Sequence, residues 1–76
     1  MTEDIAHRVH CHLDELLVER SMTLTELSEL AGITVVNLSI LKNDRAKAIR
    51  FTTLTSICDA LDCTPAELFS ITPSAK

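Results

Sequence analysis

Residues 23–43 read TLTELSELAGITVVNLSILKN, and this stretch decides the fold. Thr23 with Glu26 forms a capping box, in which a threonine hydroxyl and a glutamate carboxylate satisfy backbone amides that a helix start leaves unpaired. Met22 and Leu27 are spaced as the accompanying hydrophobic staple. Leu24, Leu27, Leu30 and Ala31 supply an inward face for this helix. Gly32, the only glycine of the chain, follows directly, where a left-handed residue ends a helix without steric cost. Ile33 packs inward and Thr34 caps the next helix, with Leu38 and Leu41 three apart on its core side. Asn43 and Asp44 end it, both tolerant of left-handed backbone. Ten residues separate the two caps, so the connection is tight and the second helix leaves at a steep angle.

Working outward, a first helix covers Leu13 to Arg20, with Asp14 and Glu15 in its first turn and Arg20 in its last, as the helix dipole favours. Before it, Ile5, His7, Val9, Cys11 and Leu13 alternate as in a strand. Ile5, Val9, Leu13, Leu16 and Leu17 equally fit one helical face. After the central pair, a basic loop from Arg45 to Arg50 leads through Phe51 and Thr52 to a fourth helix, about Thr53 to Asp62. Its apolar stripe is Leu54, Ile57, Cys58 and Leu61. Thr64, Pro65 and Glu67 start a short fifth helix with a second capping box. Phe69 and Ile71 alternate in an extended tail that Pro73 stops. The expectation is an all-α five-helix bundle with short terminal strands, formed by residues 1–76 as one domain.

Composition narrows the function. A chain of 76 residues buries roughly 60% of its unfolded surface, which leaves little room for a catalytic cleft. There is no Trp or Tyr and only Phe51 and Phe69 among aromatics, a poor basis for stacking single-stranded nucleic acid. No Ser/His/Asp arrangement, glycine-rich phosphate loop or paired-carboxylate signature gives catalysis a foothold, so no enzyme and no cofactor is expected. No stretch reads as a signal peptide or a membrane span, which predicts a cytoplasmic protein with reduced thiols. Cys58 and Cys63 read as structural thiols. The net charge of −4 is unevenly spread: Lys42, Arg45, Lys47 and Arg50, with Asp44, make one stretch of +3 on a body of −7. One face therefore suits a polyanion.

The helix, glycine turn and helix make a helix-turn-helix arrangement. The stretch from Leu13 to Phe69 resembles the phage lambda repressor and Cro type of domain, most of all its very small stand-alone bacterial members. The residues that carry the resemblance are LDELL at 13–17, TLTELSELAGIT at 23–34, NLSILKN at 37–43, IRFTTL at 49–54 and ALDCTP at 60–65. The resemblance implies five helices and dimeric binding to double-stranded DNA, with the helix from 34 to 43 in the major groove. It assigns base reading to Val35, Val36, Asn37 and Ser39. It assigns phosphate contacts to Thr25, Thr34, Lys42, Asn43, Arg45 and Lys47. Two positions depart from the family pattern. Asp44 stands where glycine is frequent and would turn a negative charge toward phosphate. Val35 and Val36 cannot hydrogen-bond a base, though they can touch thymine methyls, which leaves Asn37 for a bidentate adenine contact. Arg50 can instead hold the loop by pairing within the protein.

Two other readings stay beside this one. The same fold serves as a protein-interaction module, such as an antitoxin or adaptor. His7, His10, Cys11 and His12 invite a metal hypothesis; as a strand they split between two faces, as a helix only His7 and Cys11 are neighbours, and a closed zinc site needs four ligands. No metal is expected. A homodimer built partly from the chain ends is expected, because the core is small and unpaired strand edges are a liability.

Overall fold

The computed structural model describes residues 8–72. The elements in order are β1 (Val9–Cys11), α1 (Leu13–Glu19), α2 (Leu24–Ala31), α3 (Val35–Lys42), α4 (Phe51–Leu61), α5 (Pro65–Leu68) and β2 (Phe69–Ile71). The five expected helices are present. The N-terminal ambiguity resolves to a strand from Val9; Ile5, His7 and Pro73 lie outside the described residues.

Leucines set the core. Leu13, Leu27, Leu38, Ile57, Leu61 and Leu68 are fully buried, joined by Cys11, Leu16, Leu17, Leu41 and Cys58. Each helix contributes at least one of these, and α2 packs on both α3 and α4. No charged or polar side chain is buried among the described residues, so the core rests on apolar burial, at about 25 cal/mol per Å² removed from water. One inward expectation fails and one helix boundary moves. Leu30, in the last turn of α2, is 65% exposed. Helix α4 starts at Phe51 rather than Thr53, and this places Phe51, 83% exposed, on its outer rim. Cys63 is half-buried against the core rather than within it.

The caps form as the residue types dictate. The Thr23 hydroxyl accepts from the Glu26 amide at 3.1 Å, and the Glu26 carboxylate accepts from the Thr23 amide at 2.8 Å. The Thr34 hydroxyl accepts from the Asn37 amide at 3.1 Å, and the Glu67 carboxylate accepts from the Thr64 amide at 2.9 Å. Among the described residues four have positive φ: Ser21 (52°), Gly32 (70°), Asp44 (61°) and Asp62 (53°). They follow α1, α2, α3 and α4 in turn. After each one, the next residue's amide reaches back five positions: Met22 to Leu17, Ile33 to Ser28, Arg45 to Ile40 and Cys63 to Cys58, at 2.9, 3.2, 3.0 and 3.0 Å. This is the left-handed helix ending that pairs otherwise orphaned carbonyls.

The chain ends close on each other. Strands β1 and β2 pair antiparallel in the register Val9 with Ile71, His10 with Ser70 and Cys11 with Phe69. The amide of His12 donates to the Leu68 carbonyl at 2.7 Å and that of Thr72 to the Arg8 carbonyl at 2.8 Å. Arg20 ties the other end of α1 to α4. Its guanidinium donates to the carbonyls of Leu61 and Asp62 at 2.8 and 3.1 Å.

Ser21 holds a left-handed backbone with an L side chain, a conformation that costs roughly 1–2 kcal/mol for a residue with a Cβ. Ser21→Gly should therefore raise unfolding free energy by about 0.5–1 kcal/mol. Urea denaturation followed by circular dichroism checks it; an unchanged or lower midpoint would show that the serine carries no backbone strain.

Candidate nucleic-acid interface

The chain bends by 116° between α2 and α3, within the roughly 90–120° of a helix-turn-helix unit. Two local devices hold this bend. Gly32 supplies the left-handed step, and the Ser28 hydroxyl donates to the Ile33 carbonyl at 2.6 Å, closing the turn from the α2 side. Ser28 carries no local signal of this role in the sequence, since its hydroxyl acts across a turn that exists only once Gly32 has reversed the chain.

Leu38 and Leu41 are buried and fix the phase of α3. Its outward side then presents Val35, Val36, Asn37 and Ile40. Val36 is 68% exposed, so it is not a core residue. Asn37 is exposed, and its side chain makes no hydrogen bond among the described residues. Ser39 is half-buried, the least accessible of the four residues assigned to base reading.

The residues assigned to phosphate contact divide by their present partners. Thr25 is exposed on the first turn of α2, and Thr34 is exposed but serves as the cap of α3. The Asn43 amide group donates to the Ser39 carbonyl at 2.8 Å and closes the end of α3. Lys42 reaches Asp14 on α1 at 3.4 Å, an exposed pair of the kind worth little. Arg45 and Lys47 are exposed without a hydrogen bond or ion pair among the described residues. Arg50 is also exposed; it sits at the position preceding α4 and forms no ion pair among the described residues.

Asp44 behaves differently from the expectation that its charge would face phosphate. Its carboxylate turns back to β1, accepting from the Cys11 amide at 2.8 Å through Oδ1 and from His10 Nδ1 at 2.8 Å through Oδ2. A left-handed aspartate thus fastens the end of α3 to the N-terminal strand. The His-rich stretch is absorbed by similar contacts. His12 pairs with Glu15 through Nδ1 and with Ser70 through Nε2, both at 2.7 Å. The His10 and His12 rings meet edge-on with centroids 4.6 Å apart. Among the described residues no three His, Cys, Asp or Glu side chains converge as metal ligands. Burial pushes the Cys11 thiol up to about 11, with Asp44 and Asp14 adding to the rise. Burial and contact with Cys58 push Cys63 up to about 11 as well. Thiolate, the reactive form, is therefore scarce at neutral pH.

Two short helices joined by a left-handed glycine turn, with the second helix outward-facing and followed by a basic loop, define a helix-turn-helix DNA-binding protein. More specifically, residues 12–74 match the Cro/C1-type HTH DNA-binding domain, and the chain belongs to that family. The family is a class of DNA-binding domains and not an enzyme class. The chain is 56% identical over 57 residues to the uncharacterized HTH-type transcriptional regulator YozG of Bacillus subtilis (strain 168), covering 75% of this chain and 68% of that protein. Its fold matches the crystal structure of the transcriptional regulator VanUg with a TM-score of 0.73 at 25% identity, over 97% of this chain and 99% of the other. Among the described residues no single helix is long and apolar enough to cross a membrane.

Asp44→Gly separates the two roles of this residue. Glycine removes the left-handed strain, worth roughly 1–2 kcal/mol, but loses hydrogen bonds to a charged acceptor, worth about 1.5–3 kcal/mol each. The net expectation is a loss of about 1–5 kcal/mol, toward the low end because the His10 pairing is partly exposed, together with faster hydrogen exchange at the Cys11 amide. A gain in stability with Cys11 protection intact would mean the carboxylate holds nothing.

Proposed function

We propose that this protein is a sequence-specific regulator of transcription that binds double-stranded DNA as a homodimer and represses by occluding a promoter. The observation that carries the reading is the solvent-facing side of α3, with Asn37 uncommitted and Arg45 and Lys47 unpaired just beyond it. In this reading α3 lies in the major groove. Asn37 takes an adenine edge, Val35 and Val36 touch thymine methyls, and Ser39 reaches the groove floor least. Thr25, Thr34, Lys42, Asn43, Arg45 and Lys47 neutralise or bond phosphates on either side; Lys42 exchanges its weak pairing with Asp14 for a phosphate. These contacts fix register and supply affinity but carry no sequence information. The regulator works in the cytoplasm, where its DNA is.

A protein-binding module remains the second reading, favoured by the apolar Val35, Val36 and Ile40 on the same face. Gel shift on genomic fragments across a salt series decides between them. Asn37→Ala should lower affinity for the preferred site by ~1–3 kcal/mol and relax preference at one base pair. Lys42→Ala and Arg45→Ala should instead weaken binding about equally on all sequences, each reducing the salt slope by roughly 1. Equal loss of all sequences in Asn37→Ala would remove it as a reader. A stoichiometric protein partner with no salt-dependent DNA complex would establish the second reading.

The ribbon supports the dimer. Bonds at Arg8–Thr72 and His12–Leu68 mean that residues 9, 11, 69 and 71 direct their backbone groups outward. On β1 the Cys11 amide is covered by Asp44. On β2 the Ile71 backbone groups meet no partner among the described residues, and its side chain is exposed. Pairing β2 with its two-fold copy removes an open edge and carries two α3 helices, which reading successive grooves requires at about 34 Å. Ile71→Pro, which deletes the outward donor, should weaken self-association by about tenfold in sedimentation and reduce site affinity in parallel. A wild-type protein at monomer mass at micromolar concentration, footprinting one half-site, would refute the dimer.

A further inference from the structure

Between the basic loop and the β1–β2 ribbon lies a half-open cavity of about 200 Å³. Its walls are almost wholly apolar: Cys11 and Phe69 from the ribbon, Leu41 from α3, and Ala46, Ala48 and Ile49 from the loop. Two charged residues border it, Asp44 and Lys47. They are not equivalent. Both carboxylate oxygens of Asp44 are engaged by β1. The Lys47 ammonium has no ion pair or hydrogen bond among the described residues. A ligand matched to this space is apolar over most of its body and carries one negative charge.

Size sets the scale. An apolar cavity of 150 Å³ takes benzene, so this one accepts about seven to nine non-hydrogen atoms. We propose that the cavity binds a small amphipathic monocarboxylate of the size of hexanoate or benzoate. The hydrocarbon lies between ribbon and loop, and the carboxylate pairs with Lys47. A longer chain would leave carbons in water, and an uncharged molecule would leave the ammonium unmatched.

The site has a consequence that rests on the DNA-binding reading above. Lys47 is also a candidate for phosphate contact, so a ligand carboxylate and a DNA phosphate compete for one ammonium. By linkage, the ligand weakens DNA binding by the factor by which DNA weakens ligand binding.

The test is an NMR titration of the DNA-free protein with hexanoate, hexanol and acetate. Saturable shifts should centre on Cys11, Ala46, Ala48 and Ile49, with hexanoate about two- to fivefold tighter than either control, the range that an exposed ion pair supports. Lys47→Gln, at an exposed position that leaves the core intact, should bring hexanoate down to the affinity of hexanol and leave hexanol unchanged. Absence of saturation at tens of millimolar, equal affinity for hexanoate and hexanol, or shifts centred elsewhere would overturn the site. So would shifts of the same residues with protein concentration alone, since a second copy would then occupy the cavity. Because this titration contains no DNA, a protein that binds no DNA refutes the functional reading and leaves the site standing. Bound hexanoate with unchanged DNA affinity would overturn the competition for Lys47.

Discussion

Left-handed helix endings govern this architecture. Four times the chain must stop a helix, reverse, and return a leucine face to the same small core, and each time it does so at a residue with positive φ. The amide that follows then bonds a carbonyl five residues back, so the exit direction of the chain is set by one dihedral pair rather than by a loop. Between α1 and α2, and again between α2 and α3, hardly any residues remain in which an error could be absorbed. Were the step at Gly32 to relax to the right-handed region, α3 would swing off α2, and Leu38 and Leu41 would leave the core together. Only one of the four positions is glycine. The other three accept strain of roughly 1–2 kcal/mol each, and the carbonyls they satisfy offset it.

What could be read from the chain, and what could not, follows from the range of each interaction. Thr23 with Glu26, Thr34 and Gly32 act within one turn, and their spacing in sequence is their spacing in space. Leu38 and Leu41 set the phase of α3 by simple periodicity, and the exposure of Val36 and Asn37 agrees with the places that the family resemblance gave them. Leu30 was misjudged for the opposite reason: near the end of its helix, exposure depends on how far the neighbouring elements extend, and that is a tertiary quantity. Asp44 is the plainest case. Its tolerance of left-handed backbone was visible, but its carboxylate bonds a strand amide 33 residues away, and nothing local announces the partner. Arg20, whose guanidinium closes α4 from 41 residues away, is legible locally only as a charge at a helix end.

The ends of the chain show how charge and strand pairing cooperate. A two-stranded ribbon of three residues per strand is too small to persist alone. Here it is welded to the bundle on both sides: α5 runs directly into β2, and Asp44 grips β1. His10 and His12, two of the residues that suggested a metal site, are engaged in this joint, bound to carboxylates and a hydroxyl.

The outward side of α3 has a further property. Val36 and Asn37 contribute nothing to the core, and the cap at Thr34 uses Asn37 only through its backbone amide. Substitution there should cost the fold almost nothing, because exposed helical positions away from caps change stability within about half a kilocalorie per mole. Stability and surface chemistry are therefore encoded in separate letters of the same helix. Descendants of such a gene can exchange those letters freely and acquire new targets by single substitutions, without passing through unfolded intermediates. In a protein of this size, with little stability to spare, that separation makes diversification affordable.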